Sequence, residues 1–192
     1  MSRANLLRAD RMLMGLRELM RTAGARQGLE PVAPREILKD VVEELRGASI
    51  GSENSIRIVG NLDVVFTSPL QLAHVFRNLL VNAFEHNRAQ EDLLVEVGQK
   101  SGHGTERVTL FVRDNGRGIA PTLRDRVFGP FCRGPGAPDS GLGLGLALID
   151  AIVTRAGGET WIDESPGGGA TVFFTLLRSP PDAPQAARQD SL

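Results

Sequence analysis

Apolar positions along the chain switch between a helical period and a strand period, and the period names the element. Leu6, Ala9, Leu13, Leu16 and Met20 follow a 3-4-3-4 spacing, widened by Leu7, Met12 and Leu19, so residues 3–23 are expected to form a helix. Three heptads suit a bundle helix and a single amphipathic helix lying on the domain equally well. Gly24, Gly28, Pro31 and Pro34 mark a linker over residues 25–33. A helix is expected from about Pro34 to Arg46, with proline suited to its first turn. Ile56 to Val59 and Asp63 to Phe66 read as a strand pair turning about Gly60-Asn61. A second helix is expected from about Pro69 to His86, with Ser68 as its N-cap. Leu93 to Val97 and Arg107 to Arg113 read as strands. A third helix, about Leu144 to Ala156, ends at Gly157-Gly158. Glu159 to Asp163 and Ala170 to Leu177 read as a closing strand pair around Pro166-Gly167-Gly168-Gly169. The tail, residues 179–192, lacks apolar residues to bury and is expected to be disordered. Strand pairs mixed with helices predict an α+β fold, one mixed sheet with helices on one face.

Composition narrows the function classes. The chain has 192 residues, enough for one domain with a core and an appendage. Its 41% hydrophobic and 23% charged residues are those of a soluble globular protein. A net charge of -1 argues against a large nucleic-acid footprint. Cys132 is the single cysteine, which excludes an intrachain disulfide and a multi-cysteine metal site and fits a reducing compartment. No apolar run reaches the roughly 18 residues of a membrane helix, and no signal-peptide core follows Met1. A cytoplasmic chain without membrane contact of its own is expected.

Four segments carry candidate chemistry, and each admits a plain structural reading beside it. The helix at 69–86 sets an apolar face (Leu72, Phe76, Leu79, Leu80, Ala83) beside a narrow polar stripe (Gln71, His74, Asn78, Asn82, Glu85). Two asparagines at i and i+4 are poor helix formers. They suit hard-oxygen coordination of Mg²⁺, or simply an exposed polar face. Val108 to Val112 is apolar enough for an inner strand and stops at Asp114-Asn115-Gly116-Arg117-Gly118. A carboxylate there suits an exocyclic amine such as adenine N6, with Gly116 and Gly118 letting backbone approach a flat ring. An Asp-Asn-Gly turn is the alternative. Gly141-Leu142-Gly143-Leu144-Gly145-Leu146 opens the third helix, where backbone N–H groups favour phosphate. It is neither a dinucleotide fingerprint nor a P-loop, and a glycine hinge is its other reading. The stretch from Asn115 to Ser140 is long and rich in Gly, Pro and Arg, as functional or mobile loops are. His74, His86 and His103 show no metal spacing.

In order and spacing these segments resemble the sensor histidine kinases. Asn78-Leu79-Leu80-Val81-Asn82-Ala83 resembles their N box, and Asp114-Asn115-Gly116-Arg117-Gly118 their G1 box. Val127-Phe128-Gly129-Pro130-Phe131 resembles the F box, Gly141 to Leu146 the G2 box, and Gly167 to Thr171 the final glycine-rich turn. The match spans residues 34–178 and points to the GHKL ATPase superfamily, in its histidine kinase branch. The resemblance implies a Bergerat fold: a two-layer α/β sandwich with a mixed sheet backed by about three helices. It implies ATP and Mg²⁺ as cofactors, with Asn82 as metal ligand and Asn78 beside it. Asp114 would accept from adenine N6 with Thr171 nearby, and Gly116, Gly118 and Ile119 would line the adenine pocket. Phe131, Arg133 and Gly141 would belong to the lid and its phosphate contacts. Gly143, Leu144 and Gly145 would hold the phosphates. His86 and Glu85 complete the N-box candidates for the chemical step.

Two departures qualify the resemblance. Pro130 stands where the F box often carries a charge, which implies a stiffer lid. No histidine has the acidic residue and proline that follow a phosphoacceptor. The simplest reading is a C-terminal piece of a longer kinase: the end of a dimerisation helix at 1–24, a linker at 25–33, an ATP-binding catalytic domain at 34–178 and a tail. Its expected partners are its own phosphoacceptor and dimerisation domain, a response regulator receiver domain, and a second copy in the full-length homodimer. The cytosolic part of a membrane-bound sensor fits the same pattern. The rival readings are a serine kinase of the anti-sigma type and a non-catalytic nucleotide-binding signalling module.

Overall fold

Each of the three longer helices among the described residues buries an apolar face against one sheet. The computed structural model describes residues 28–48, 55–101, 106–132 and 143–180, so the expected helix at 1–24 and the tail beyond Pro180 lie outside the described residues. In chain order the elements are β1 (Glu30–Val32), α1 (Pro34–Gly47), β2 (Ile56–Val59), β3 (Val65–Thr67), α2 (Pro69–His86), β4 (Val95–Gln99) and β5 (Arg107–Asp114). They continue with α3 (Pro121–Arg124), α4 (Gly145–Arg155), β6 (Thr160–Glu164) and β7 (Ala170–Leu177). The seven strands form one mixed sheet in the order β1-β3-β7-β5-β4-β2, with β6 sharing an edge of β7 with β3. All pairings are antiparallel except β2 with β4.

Helix α2 lies between α1 and α4 and against β5. It buries Leu72, Val75, Phe76, Leu79, Leu80, Ala83 and Phe84, which include all five apolar positions read from the sequence. The edge of the Phe76 ring meets Phe174 of β7, with centroids 6.0 Å apart. Val108, Leu110 and Val112 of β5 are buried in the same core, so the strand turns its even-numbered side chains to the helices. The odd-numbered side face carries an aromatic row, with Trp161 stacked on Phe173 and Phe173 beside Phe111. Lys100 and Arg113 lie over these rings, and Gly98 leaves the space that Phe111 fills.

Local signals differ from the structure in three places, while Ser68 stands at its expected N-cap without a side-chain bond. Ile56 to Val59 and Asp63 to Phe66 do not form a hairpin. β2 pairs in parallel with β4, Ile56 beside Val95, while β3 sits between β1 and β7 on the other side of the sheet. Parallel pairing needs a long crossover, and the segment through α2 supplies it. Asp63 instead exchanges hydrogen bonds with the Gln99 side chain and pairs with Arg178, and these contacts hold its carboxyl below the usual range. The expected linker contains β1 at Glu30–Val32. A fourth, short helix, α3, lies in the stretch read as loop.

Truncating the ring at the centre of the core tests this arrangement. Phe76→Ala is expected to lower unfolding free energy by about 3–5 kcal/mol in urea titrations. A loss under about 1 kcal/mol would mean that Phe76 is not a core residue.

Candidate functional site

The alternation that buries Val108, Leu110 and Val112 carries one step further to Asp114, the last residue of β5. That register turns a carboxylate toward the helix layer at the strand's end. Three donors converge on its Oδ1: the Gly116 amide at 2.8 Å, the Ala170 amide at 3.4 Å and the Asn87 side-chain Nδ2 at 3.4 Å. Among the described residues Oδ2 takes no hydrogen bond. Burial raises the Asp114 carboxyl above its ordinary value, against the smaller lowering by its three donors and by His86 nearby. One oxygen is thus satisfied by protein, and the other accepts from no donor among the described residues.

Close backbone contact explains the glycines around it. A Cβ on Gly116 would lie 2.1 Å from the Asn87 side chain, and one on Gly169 would lie 2.1 Å from the Asp114 carbonyl oxygen. Gly118 combines a φ of +71° with backbone of Gly169 in the way of any side chain. The G1 turn and the turn before β7 therefore interlock. Thr171 lies opposite Arg113 in the sheet, buried, with its hydroxyl 2.9 Å from that of Ser165. Ile119 accepts at its carbonyl from Arg124, whose guanidinium also reaches Glu164.

The second half of the site is the face between α2 and the start of α4. A Cβ on Gly145, the first residue of α4, would lie 3.3 Å from both side-chain amides, of Asn78 and of Asn82. The asparagine pair of the N box and the end of the G2 box are thus in contact. Asn78 donates to the His74 carbonyl at 2.8 Å, which turns its amide oxygen away from its own helix. Asn82 makes no side-chain hydrogen bond among the described residues. Leu144 is buried at the N-cap, and its carbonyl accepts from Leu148. Gly143 has a φ of +68° and accepts at its carbonyl from the Phe131 amide at 2.8 Å. Phe131 is itself left-handed, with a φ of 63°, and its ring is exposed. Arg133 and Gly141 lie outside the described residues. Glu85 pairs with Arg88. His86 sits at the Asp114 end of α2, its Nδ1 3.2 Å from the Arg117 guanidinium, and so lies nearer the G1 turn than the Gly145 contact.

Residues 67–180 match the family of histidine kinase-, DNA gyrase B- and HSP90-like ATPases. The chain belongs to this ATPase family. It is 33% identical over 143 residues to cyanobacterial phytochrome B of Nostoc sp., covering 73% of this chain and 19% of that protein. It is 30% identical over 172 residues to the methanogenesis regulatory histidine kinase FilI of Methanothrix harundinacea, covering 89% and 19%. Among solved structures it is similar to full-length ShkA in complex with AMPPNP, with a TM-score of 0.68 and 25% identity over 88% of this chain and 36% of that one. The chain spans about one fifth of the length of these curated relatives. Its fold is the Bergerat α/β sandwich of histidine kinase catalytic domains, and ATP is the nucleotide to which this ATPase domain is fitted. No helix of the described residues is long and apolar enough to cross a membrane.

Sequence reasoning passed over Asn87. It closes the C-terminal end of α2, donates to the Ala83 carbonyl at 2.8 Å, accepts from the Arg117 amide at 3.0 Å and reaches Asp114. Its position just past a helix end was the available signal, and that reads as an ordinary cap.

The raised carboxyl gives a prediction of definite sign. A folded-state value above the unfolded 3.8 means that Asp114 binds its proton more tightly when folded. Its contribution to stability is full below the unfolded value and is lost as pH rises through the folded value. Asp114→Asn is therefore expected to gain melting temperature relative to wild type as pH rises from about 3.5 to 8. Melting curves across that range check it, and a difference that shrinks with rising pH contradicts the assignment.

Proposed function

We propose that this chain binds Mg-ATP and catalyses transfer of the γ-phosphoryl group to a histidine of a separate phosphoacceptor and dimerisation domain, for relay to a response regulator aspartate. The observation that carries the nucleotide reading is the one-sided Asp114 carboxylate: Oδ1 takes Gly116, Ala170 and Asn87, and Oδ2 takes no donor among the described residues. An exocyclic amine such as adenine N6 matches that oxygen. A guanine carbonyl at the same place would set acceptor against acceptor. The phosphoryl-transfer reading rests on the relatives named above as histidine kinases.

The chain's own residues position and neutralise. Asn78 and Asn82 present amide oxygens beside the start of α4, a donor type that suits Mg²⁺ shared with phosphates. Among the described residues no three His, Cys, Asp or Glu side chains gather as a metal cage, so an amide and phosphate ligand set fits what is present. The first-turn amides of α4, with Gly143 and Leu144 before them, favour anions. Asp114 and the glycines of both turns hold the base. The bound nucleotide supplies the phosphoryl group, and its Mg²⁺ neutralises phosphate charge. The acceptor imidazole is a sufficient nucleophile, so no strong base is required of this chain. In the full protein this domain would serve as the cytosolic catalytic part of a homodimeric sensor.

Incubation with γ-labelled ATP, Mg²⁺ and a histidine-bearing dimerisation domain tests the reading. Acid-labile label on that domain is the expected result, and Asp114→Asn should abolish it while leaving the fold intact by circular dichroism. Base-labile label on serine supports an anti-sigma type kinase instead. Binding of ATP with no transfer supports a non-catalytic module. For the metal role, Asn82→Ala should remove most of the Mg²⁺-dependent part of ATP affinity in calorimetry. Equal sensitivity of mutant and wild type to EDTA would show that Asn82 is not a ligand.

A further inference from the structure

The Asn87 side chain touches both the end of α2 and the turn that holds Asp114. Its Nδ2 donates to the Ala83 carbonyl at 2.8 Å and reaches Asp114 Oδ1 at 3.4 Å. Its Oδ1 accepts from the Arg117 amide at 3.0 Å. It is buried, and its amide occupies the space that a Gly116 side chain would need. The other two donors to Oδ1 are backbone amides of Gly116 and Ala170, which no side-chain substitution removes.

We infer that Asn87 is a positioning residue that sets base selection: by fastening the end of α2 to Asp114 Oδ1, it directs Oδ2 toward the exocyclic amine of the nucleotide. The inference rests on the adenine reading of Asp114. Its logic is directional. An asparagine amide oriented by Ala83 can only offer N–H to Asp114, because its oxygen is already held by Arg117. Asp114 is thereby kept as an acceptor with one oxygen spoken for. Without Asn87 the carboxylate keeps two backbone donors but loses its tie to α2, so its outer oxygen is no longer fixed against the base. The charged and titratable groups at this corner are His86, which acts on Asp114 through its charge, and Arg117, which contacts His86.

The experiment compares ATP with its analogue lacking the 6-amino group, by calorimetry on the whole chain. Wild type should prefer ATP, and Asn87→Ala should lose about five- to tenfold of that preference while affinity for the desamino analogue stays near wild type. Equal loss for both nucleotides, or no loss, overturns the inference. A wild type that does not prefer ATP overturns the adenine reading of Asp114 itself, which separates the two failures. Asn87→Asp gives an independent arm if the alanine variant unfolds. It sets two carboxyls against each other at high pH. When the pair takes up one proton, the new O–H can donate to Asp114 as the amide did. Its ATP affinity should therefore rise as pH falls from 8 to 6, while that of wild type stays level or declines. A slope parallel to wild type overturns the inference.

Discussion

A single carboxylate oxygen ties this site together. Asp114 Oδ1 receives the amide of Gly116 from its own turn, the amide of Ala170 from the turn before β7, and the Asn87 side chain from the end of α2. Those donors belong to three segments distant in sequence, and a carboxylate drawn out of water needs all of them. Burial still wins, since the carboxyl is raised rather than lowered. The glycines at 116, 118 and 169 follow from the same point, because the Asn87 side chain fills the space at Gly116 and converging backbone fills it at Gly118 and Gly169. Among the described residues the second oxygen has no donor.

Helix α2 converts that corner into a site with two ends. The same helix that brings Asn87 to Asp114 brings Asn78 and Asn82 against Gly145. From Asn82 to Asn87 is five residues, about 7.5 Å of helix rise. The spacing between the Asp114 corner and the α4 terminus is therefore fixed by one helix buried along most of its length.

Much of this was legible in the residues, and what was missed has physical causes. The bounds of α2 and β7 matched because each has an apolar face and a hard stop: Pro69 before one and the triple glycine before the other. Asp114 was legible from its place at the end of an apolar strand. Its three donors were not, because backbone amides and a cap residue carry no sequence signature of long-range contact. The hairpin at Gly60-Asn61 failed for a related reason. Turn chemistry permits a hairpin but cannot weigh it against Ile56 and Ile58 pairing with Val95 and Val97 in β4. Asn87 was missed because a polar residue after a helix is unremarkable until its partners are known.

Before α4 the chain is drawn together by backbone alone, unlike the Asp114 corner. The Phe131 amide donates to the Gly143 carbonyl, and a side chain on Gly143 would strike the Cys132 carbonyl at 2.6 Å. The chain leaves and returns at nearly one point, directly before α4 begins. Left-handed backbone at both Phe131 and Gly143 shapes that clasp, and Phe131 holds it at some steric cost. The Asp114 corner is held by convergence and the start of α4 by the contact between Phe131 and Gly143, and α2 is the element that joins them.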